Sequence, residues 1–227
     1  MIDFIDFHAH ILPHADHGSY STDTTTAQLE YARSSGVKRI VATPHYYPHQ
    51  ENPDVFLKRR NACYEHLIER LTFDLPSIRL GAEILICDNI EEMPMLDKLC
   101  IEGTRALLLE LPFTDFSASY VHSVRSLVNQ GYTVILAHAD RYDPENIDKL
   151  VKVGAIIQLN ADALSGLFIP KIIKEWIKSG KVYALGSDIH GADKKAYARF
   201  NKAIKKLGSD AERVKELSDA IWCQSEK

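Results

Sequence analysis

Seven apolar runs of strand length, separated by segments carrying helix signals, constrain this chain more than any other feature. They are Phe4–Ile11, Val37–Pro44, Ile78–Leu85, Ala106–Leu111, Thr133–Ala139, Ala155–Asn160 and Val182–Gly186. Nearly continuous hydrophobicity, as in Val134-Ile135-Leu136-Ala137, suits a strand buried on both faces, the condition of a parallel sheet. Between the runs, Asn52-Pro53-Asp54 reads as an N-cap, a first-turn proline and an acid at the positive end of the helix dipole. A helix is expected from there to about Leu71. Gly36, Gly131, Gly154 and Gly180 stand where helices stop before the next strand. Strands alternating with helices in this number predict a parallel barrel or a doubly wound open sheet. No repeat, low-complexity tract or Gly/Ser linker divides the 227 residues, so a single domain, 1–227, is expected.

Histidines and acids fall where those runs end. The first closes with His8-Ala9-His10, two imidazoles on one face of a period-two strand. The others end in Pro44-His45, Ala82-Glu83, Leu109-Glu110, His138-Ala139-Asp140-Arg141 and Asp188-Ile189-His190. In a barrel of parallel strands these ends converge on one mouth. Buried without partners, such groups would each cost several kcal/mol, so divalent cations are the natural partner. Imidazoles mixed with carboxylates, without thiolates, favour Mn, Fe, Co or Zn over Ca. Taken singly, each residue has a plainer reading: an H-x-H pair on the surface, Glu110 as an edge charge, His138 as a bonded core histidine. The ordered combination over six strand ends is what points to metal. His14, His49, His66 and His122 lack comparable placement and are expected to be exposed or locally bonded.

Composition narrows the function. With 27 Lys and Arg against 31 Asp and Glu, the net charge is −4 and no basic stripe is present, which argues against a nucleic-acid partner. No apolar stretch approaches the roughly 18 residues of a membrane span. The start, Met1-Ile2-Asp3-Phe4-Ile5-Asp6, carries acids where a secretory signal carries bases. Cys63, Cys87, Cys100 and Cys223 form no C-x-x-C pair and read as reduced thiols. A cytoplasmic location is expected.

The ordered segments F-H-A-H-I-L-P, A-T-P-H, G-A-E-I, L-L-L-E-L-P, L-A-H-A-D-R-Y and G-S-D-I-H resemble the PHP (polymerase and histidinol phosphatase) family. Within it they look most like the bacterial capsule-biosynthesis tyrosine phosphatases of the CpsB type. The resemblance runs from Ile2 to about His190. It implies a distorted TIM-like (β/α)7 barrel with three divalent metals, Mn first among them, at the C-terminal strand ends. It assigns His8, His10, Glu83 and Asp188 to one metal. Glu83 would bridge to a second, bound also by Glu110 and His138, and His45 and His190 would serve a third. Arg141 would bind phosphate, and His45 or His190 would protonate the leaving group. The implied substrate is phosphotyrosine on a protein, with a membrane-associated bacterial tyrosine kinase as partner.

Two positions depart from the family pattern. Where the family reads D-D-G after the first strand, this chain has Asp16-His17-Gly18, so His17 stands at the third metal's acid position, with Asp16 beside it. After His190 the family continues to a substrate arginine, but here the run is Gly191-Ala192-Asp193-Lys194-Lys195. Tyr46, Tyr47 and Pro48 could wall the mouth or merely pack its loop. No cysteine sits in a C-x5-R loop, so a cysteine-nucleophile route has no support. The competing readings are a small-molecule phosphoesterase of the histidinol-phosphatase kind, a TatD-like metal nuclease and a non-catalytic metal-binding regulator.

Overall fold

The computed structural model describes residues 3–71, 75–114 and 116–224; Met1 and Ile2, where the N-terminal reading begins, lie outside them. Strand β1 (Ile5–Ala9) leads through α1 (Thr22–Ser34) to β2 (Arg39–Ala42) and the two-residue β3 (His45–Tyr46). Helix α2 (Pro53–Arg70) follows, then β4 (Ser77–Leu80), β5 (Glu83–Leu85), the short α3 (Leu96–Leu99) and β6 (Ala106–Glu110). The chain continues with α4 (Ala118–Asn129), β7 (Thr133–Leu136), α5 (Pro144–Val151), β8 (Ile156–Asn160), α6 (Ala161–Ser165) and α7 (Lys171–Lys178). It ends with β9 (Val182–Gly186), α8 (Ala196–Leu207) and α9 (Ala211–Trp222). The caps follow from the residues: Ser21 accepts from Thr24 N at α1, and Asp143, ahead of Pro144, accepts from Glu145 N at α5. Gly36, Gly131, Gly154 and Gly180 take φ of 81°, 85°, 109° and 71°, the left-handed stop that glycine adopts cheaply.

Every strand pairing is parallel, in the order β3-β5-β6-β7-β8-β9-β1-β2-β4. The nine segments make seven staves, because β2 and β3 are one run interrupted at Thr43-Pro44, and β4 and β5 one run interrupted at Gly81-Ala82. Pro44 has no N–H to give a ladder, which is why the run breaks there. The two interrupted runs stay side by side: Gly81 N donates to Ala42 O at 2.8 Å and Glu83 N to Pro44 O at 3.1 Å. That contact closes the ring expected from sequence.

An inner cluster of Ile5, Phe7, Val41, Leu108, Ile135 and Ala184 fills the lower ring, and Ile221 and Trp222 of α9 belong to it. The amphipathic C-terminal helix therefore plugs the end away from the strand termini. Arg79 fixes the plug, with its guanidinium 4.1 Å from the Trp222 ring centre and a 2.6 Å bond to Trp222 O.

Strand β1 carries an irregularity that positions the site. Its register shifts between Asp6 and Ala9. Before the shift Ile5 and Phe7 face inward; after it His8 and His10 do, at the opposite parity. A bulge that re-aims side chains beside an active site has this effect. Asp6 anchors it, accepting from His8 N at 3.3 Å and Ser187 N at 2.8 Å.

Candidate metal centre

Four ligand-type atoms meet at the upper end of the ring. His8 Nε2 lies 3.0 Å from His10 Nε2, 3.1 Å from Glu83 Oε2 and 3.6 Å from Asp188 Oδ1. His10 Nε2 lies 3.2 Å from Glu83 Oε2 and 3.4 Å from Asp188 Oδ1. A tetrahedral ion with bonds of about 2.0–2.1 Å has ligand–ligand edges of about 3.3–3.4 Å. These separations lie close to that edge. Glu83 reaches further groups. Its Oε1 is 2.7 Å from His138 Nε2, and its Oε2 is 2.8 Å from His45 Nδ1, where neither atom makes a hydrogen bond. Buried N and O atoms pressed together without hydrogen bonds fit cation ligands better than a polar core. Glu110 completes the inner set, 3.6 Å from His138 Nε2 and 4.0 Å from His45 Nδ1. Four overlapping groups can each hold an ion: His8, His10 and Asp188; His8, Glu83 and His138; His45, Glu83 and Glu110; and His10, His45 and His190.

The fold pins these ligands from behind. His8 Nδ1 donates to Gln158 Oε1 at 3.2 Å, so Nε2 is the bare nitrogen that faces the cluster. Gln158 Oε1 also accepts from His138 N at 2.6 Å, while its amide nitrogen donates to Asn160 Oδ1 at 3.0 Å. Asp16 plays the same part for His10, taking Nδ1–H at 2.7 Å, and accepts from His45 N and Gly18 N. Gly18 is required there, since a Cβ would come within 2.0 Å of His10 Cβ. His138 and Asp188 hold φ of 32° and 50°, left-handed backbone that costs about 1–3 kcal/mol each and gathers at functional sites.

Charge balance shows the same demand for cations. Burial and the nearby charge of Glu83 push the Glu110 carboxyl up to about 7. Burial would raise Glu83 too, but the nearby imidazoles of His8, His10 and His138 hold it well below the carboxylate range. Burial lowers His10, yet bonds to Asp16, Asp188 and Glu83 leave it well above the imidazole range.

Above the cluster opens a cavity of about 340 Å³ lined by His17, His45, Tyr47, Glu83, Glu110, Phe113, His138, Arg141, Asp188 and His190. Arg141 donates to Asp188 Oδ2 from the rim. His17 is exposed and stacks on His45 at 4.7 Å; it belongs to none of the four metal-ligand groups found among the described residues. Tyr46 and Tyr47 divide as strand alternation requires, Tyr46 packing on Phe56 in the core and Tyr47 lining the cavity. Lys194 and Lys195 are exposed and outside the cavity lining, and the next arginine, Arg199, turns to Asp193 and Asp162. His14, His49, His66 and His122 are exposed, as expected. A larger cavity, about 390 Å³, adjoins Arg60, Lys98 and Arg105, but Arg60 is spent on the carbonyls of Gly81 and Lys98.

The positioning residues Gln158 and Asp16 were the ones sequence reasoning undervalued. A glutamine inside an apolar run was the available signal for the first. Gln158→Leu is expected to weaken metal affinity about 10–100-fold, with turnover restored by excess metal. Metal titration of the stripped protein checks this; unchanged affinity would make Gln158 a mere core residue.

Comparison with known proteins identifies the family. The family model described as "Capsular polysaccharide synthesis, CpsB/CapC" matches residues 4–221. A Staphylococcus aureus protein named CapC is 32% identical over 200 residues, spanning 82% of this chain and 76% of its own. The tyrosine-protein phosphatase YwqE of Bacillus subtilis is 26% identical over 199 residues, covering 82% of this chain and 77% of its own. Among solved structures, one of YwqE from Bacillus subtilis and CpsB from Streptococcus pneumoniae, described as metal-dependent tyrosine phosphatases, superposes with a TM-score of 0.81. That match has 22% identity and covers 98% of this chain and 96% of the other. A TatD homologue from Escherichia coli shares the fold more distantly, at TM-score 0.53 and 13% identity over 96% of this chain and 95% of its own.

Proposed function

The chain belongs to the CpsB/CapC family of capsular polysaccharide synthesis, and from that premise we propose that it is a metal-dependent phosphatase acting on phosphotyrosine in a protein. The observation that carries the reading is the set of near-tetrahedral separations among His8, His10, Glu83 and Asp188, beneath a cavity edged by Arg141. Relatives named as tyrosine phosphatases supply the substrate class.

His8, His10, Glu83 and Asp188 would hold one divalent cation, and Glu83, Glu110 and His138 a second. His45 and His190 would hold a third, with His17 or Asp16 nearest. Mn is the first candidate, with Fe, Co and Zn compatible with the same donors. Bound cations supply Lewis acidity toward phosphoryl oxygens and a water deprotonated near neutral pH. The side chains do the rest. Arg141 presents a planar fork to two non-bridging oxygens, neutralising charge that grows toward the transition state. Tyr47 and Phe113 on the cavity lining would give the substrate ring aromatic surface to pack against. Burial and the charge on His10 push His190 down to about 4, so it is neutral at pH 7, the form that ligates a cation. His45 or His190, whichever is not engaged with a cation, would pass a proton to the leaving oxygen, a light task because a phenol, at about 10, is a good leaving group.

The pocket is open, and the reading extends to a protein partner: a phosphorylated, membrane-associated tyrosine kinase whose dephosphorylation regulates capsular or exopolysaccharide synthesis. None of the described helices is long and apolar enough to cross a membrane. Four cysteines without a disulfide among the described residues suit a reducing, cytoplasmic setting.

The test is turnover by chelator-stripped protein with Mn²⁺, Fe²⁺, Co²⁺ or Zn²⁺ restored, on a phosphotyrosine peptide, histidinol phosphate and single-stranded DNA. Metal-dependent hydrolysis of the peptide, well above the other two, is expected. Preference for histidinol phosphate or DNA would move the assignment to a small-molecule phosphoesterase or a nuclease. Silence on all three by folded, metal-loaded protein would leave a metal-binding regulator.

A further inference from the structure

A second cleft, of about 200 Å³, opens beside the metal cavity and shares Phe113 and Arg141 with it. We propose that it is a subsite for a second aromatic side chain on the same peptide that carries the phosphotyrosine; the inference rests on the phosphatase reading above. Its lining includes Pro112, Phe113, Phe116, Tyr120 and Tyr142. The rings form a row leading away from the metal ligands: His138 to Tyr142 at 5.7 Å, then Tyr142 to Phe113 at 5.6 Å. Tyr142 is fixed in place by its hydroxyl, which donates to Leu111 O at 2.7 Å. On the far wall Phe116 and Tyr120 meet edge to face at 5.8 Å.

The chemistry of this lining selects the guest. The polar groups at the edge are engaged locally, Asp143 capping its helix through Glu145 N and Asn146 accepting from Lys149. Arg141 faces the metal cavity through Asp188, and a ring entering this cleft would find the faces and edges of Phe113, Phe116, Tyr120 and Tyr142 to pack against. Size agrees: an apolar cavity of about 150 Å³ takes a benzene ring, and whole small-molecule pockets run to about 300–1,000 Å³. Phe113 stands 75% exposed on the crest between the two cavities, apolar surface that a guest on either side would cover.

Continuity with the metal cavity identifies the bearer of that ring. The two cavities share the side chains of Phe113 and Arg141 in their linings. An extended peptide advances about 3.3 Å per residue, so a side chain one or two positions from the phosphotyrosine can drop over the crest.

The experiment compares kcat/KM for phosphotyrosine peptides bearing Phe or Gly at each of the two positions on either side, with p-nitrophenyl phosphate alongside. At one of those positions Phe should raise kcat/KM about tenfold over Gly. The advantage should disappear in Phe116→Ala, which opens the far wall. It should also disappear in Asn146→Trp, which fills the cleft from a surface helix and does not depend on a core residue for folding. Equal turnover of all peptides by wild-type protein, or an advantage that survives both variants, would overturn the subsite while leaving the phosphatase standing. Loss of turnover on every peptide and on p-nitrophenyl phosphate by metal-loaded wild type would instead sink the phosphatase reading, and the subsite with it.

Discussion

Glu83→Gln is expected to lower metal-dependent turnover by at least about 10³-fold and to leave the protein with substoichiometric metal. Glu83 lies against four imidazoles, those of His8, His10, His45 and His138, so no other residue joins as many members of the cluster. Glutamine keeps the shape but removes the charge and replaces one acceptor with an NH₂ aimed at ring nitrogens or cations. It also relieves Glu110, whose carboxyl is pushed up to about 7 by burial and then by Glu83. The proton on Glu110 must leave before that carboxylate can serve a cation. In the wild type, metal affinity should therefore rise as pH climbs through about 7, whereas in the variant the dependence should shift toward lower pH. Inductively coupled plasma mass spectrometry, circular dichroism and kcat on one phosphotyrosine peptide make the measurement. A folded variant with wild-type metal content and turnover would remove Glu83 from the centre of the site.

Much of the architecture could be read from the chain, because strands buried on both faces leave nearly unbroken apolar runs. The seven runs became seven staves, and the glycines placed at helix ends took left-handed backbone. What stayed hidden depends on contacts distant in sequence. The breaks within two staves arise from Pro44, which ends the run as read and hides its continuation into His45–Tyr46, and from Gly81, whose meaning comes only from its contact with Ala42. The shift in β1 was latent in a conflict of parity, with Ile5 and Phe7 apolar at odd positions and His8 and His10 at even ones. A regular strand cannot send both pairs inward, so the conflict itself demanded a bulge. Gln158 stood out as polar in an apolar strand, yet its partner His8 lies 150 positions away. Tyr46 and Tyr47 looked equivalent until the strand direction decided which faced the core. What the apolar face of α9 covers is revealed only by Arg79 and the inner cluster.

Arg141→Lys is expected to cost about 10²-fold in kcat/KM on a phosphotyrosine peptide, and Arg141→Ala about 10³-fold, with metal content unchanged in both. The residue ends a short turn that begins at His138, whose left-handed backbone carries the chain from β7 over the cavity rim. There the side chain is 42% exposed and held by Asp188 Oδ2. This carboxylate also accepts from Asn160 Nδ2 at 2.9 Å, so it is a fixed point against which the guanidinium is oriented before substrate arrives. Lysine would keep the charge, but a single ammonium cannot match two coplanar oxygens, and the chain has no second arginine at the cavity to compensate among the described residues. The rival role for Arg141 is to orient Asp188 as a metal ligand, with no contact to phosphate. That role predicts a different pattern: the variants would lose metal, excess Mn²⁺ would restore kcat/KM, and lysine would rescue most of the loss. Phosphate inhibition separates the two independently. If Arg141 binds the phosphoryl group, inorganic phosphate should inhibit the fully metal-loaded variants at least tenfold more weakly than the wild type. Equal inhibition would assign Arg141 to Asp188 alone.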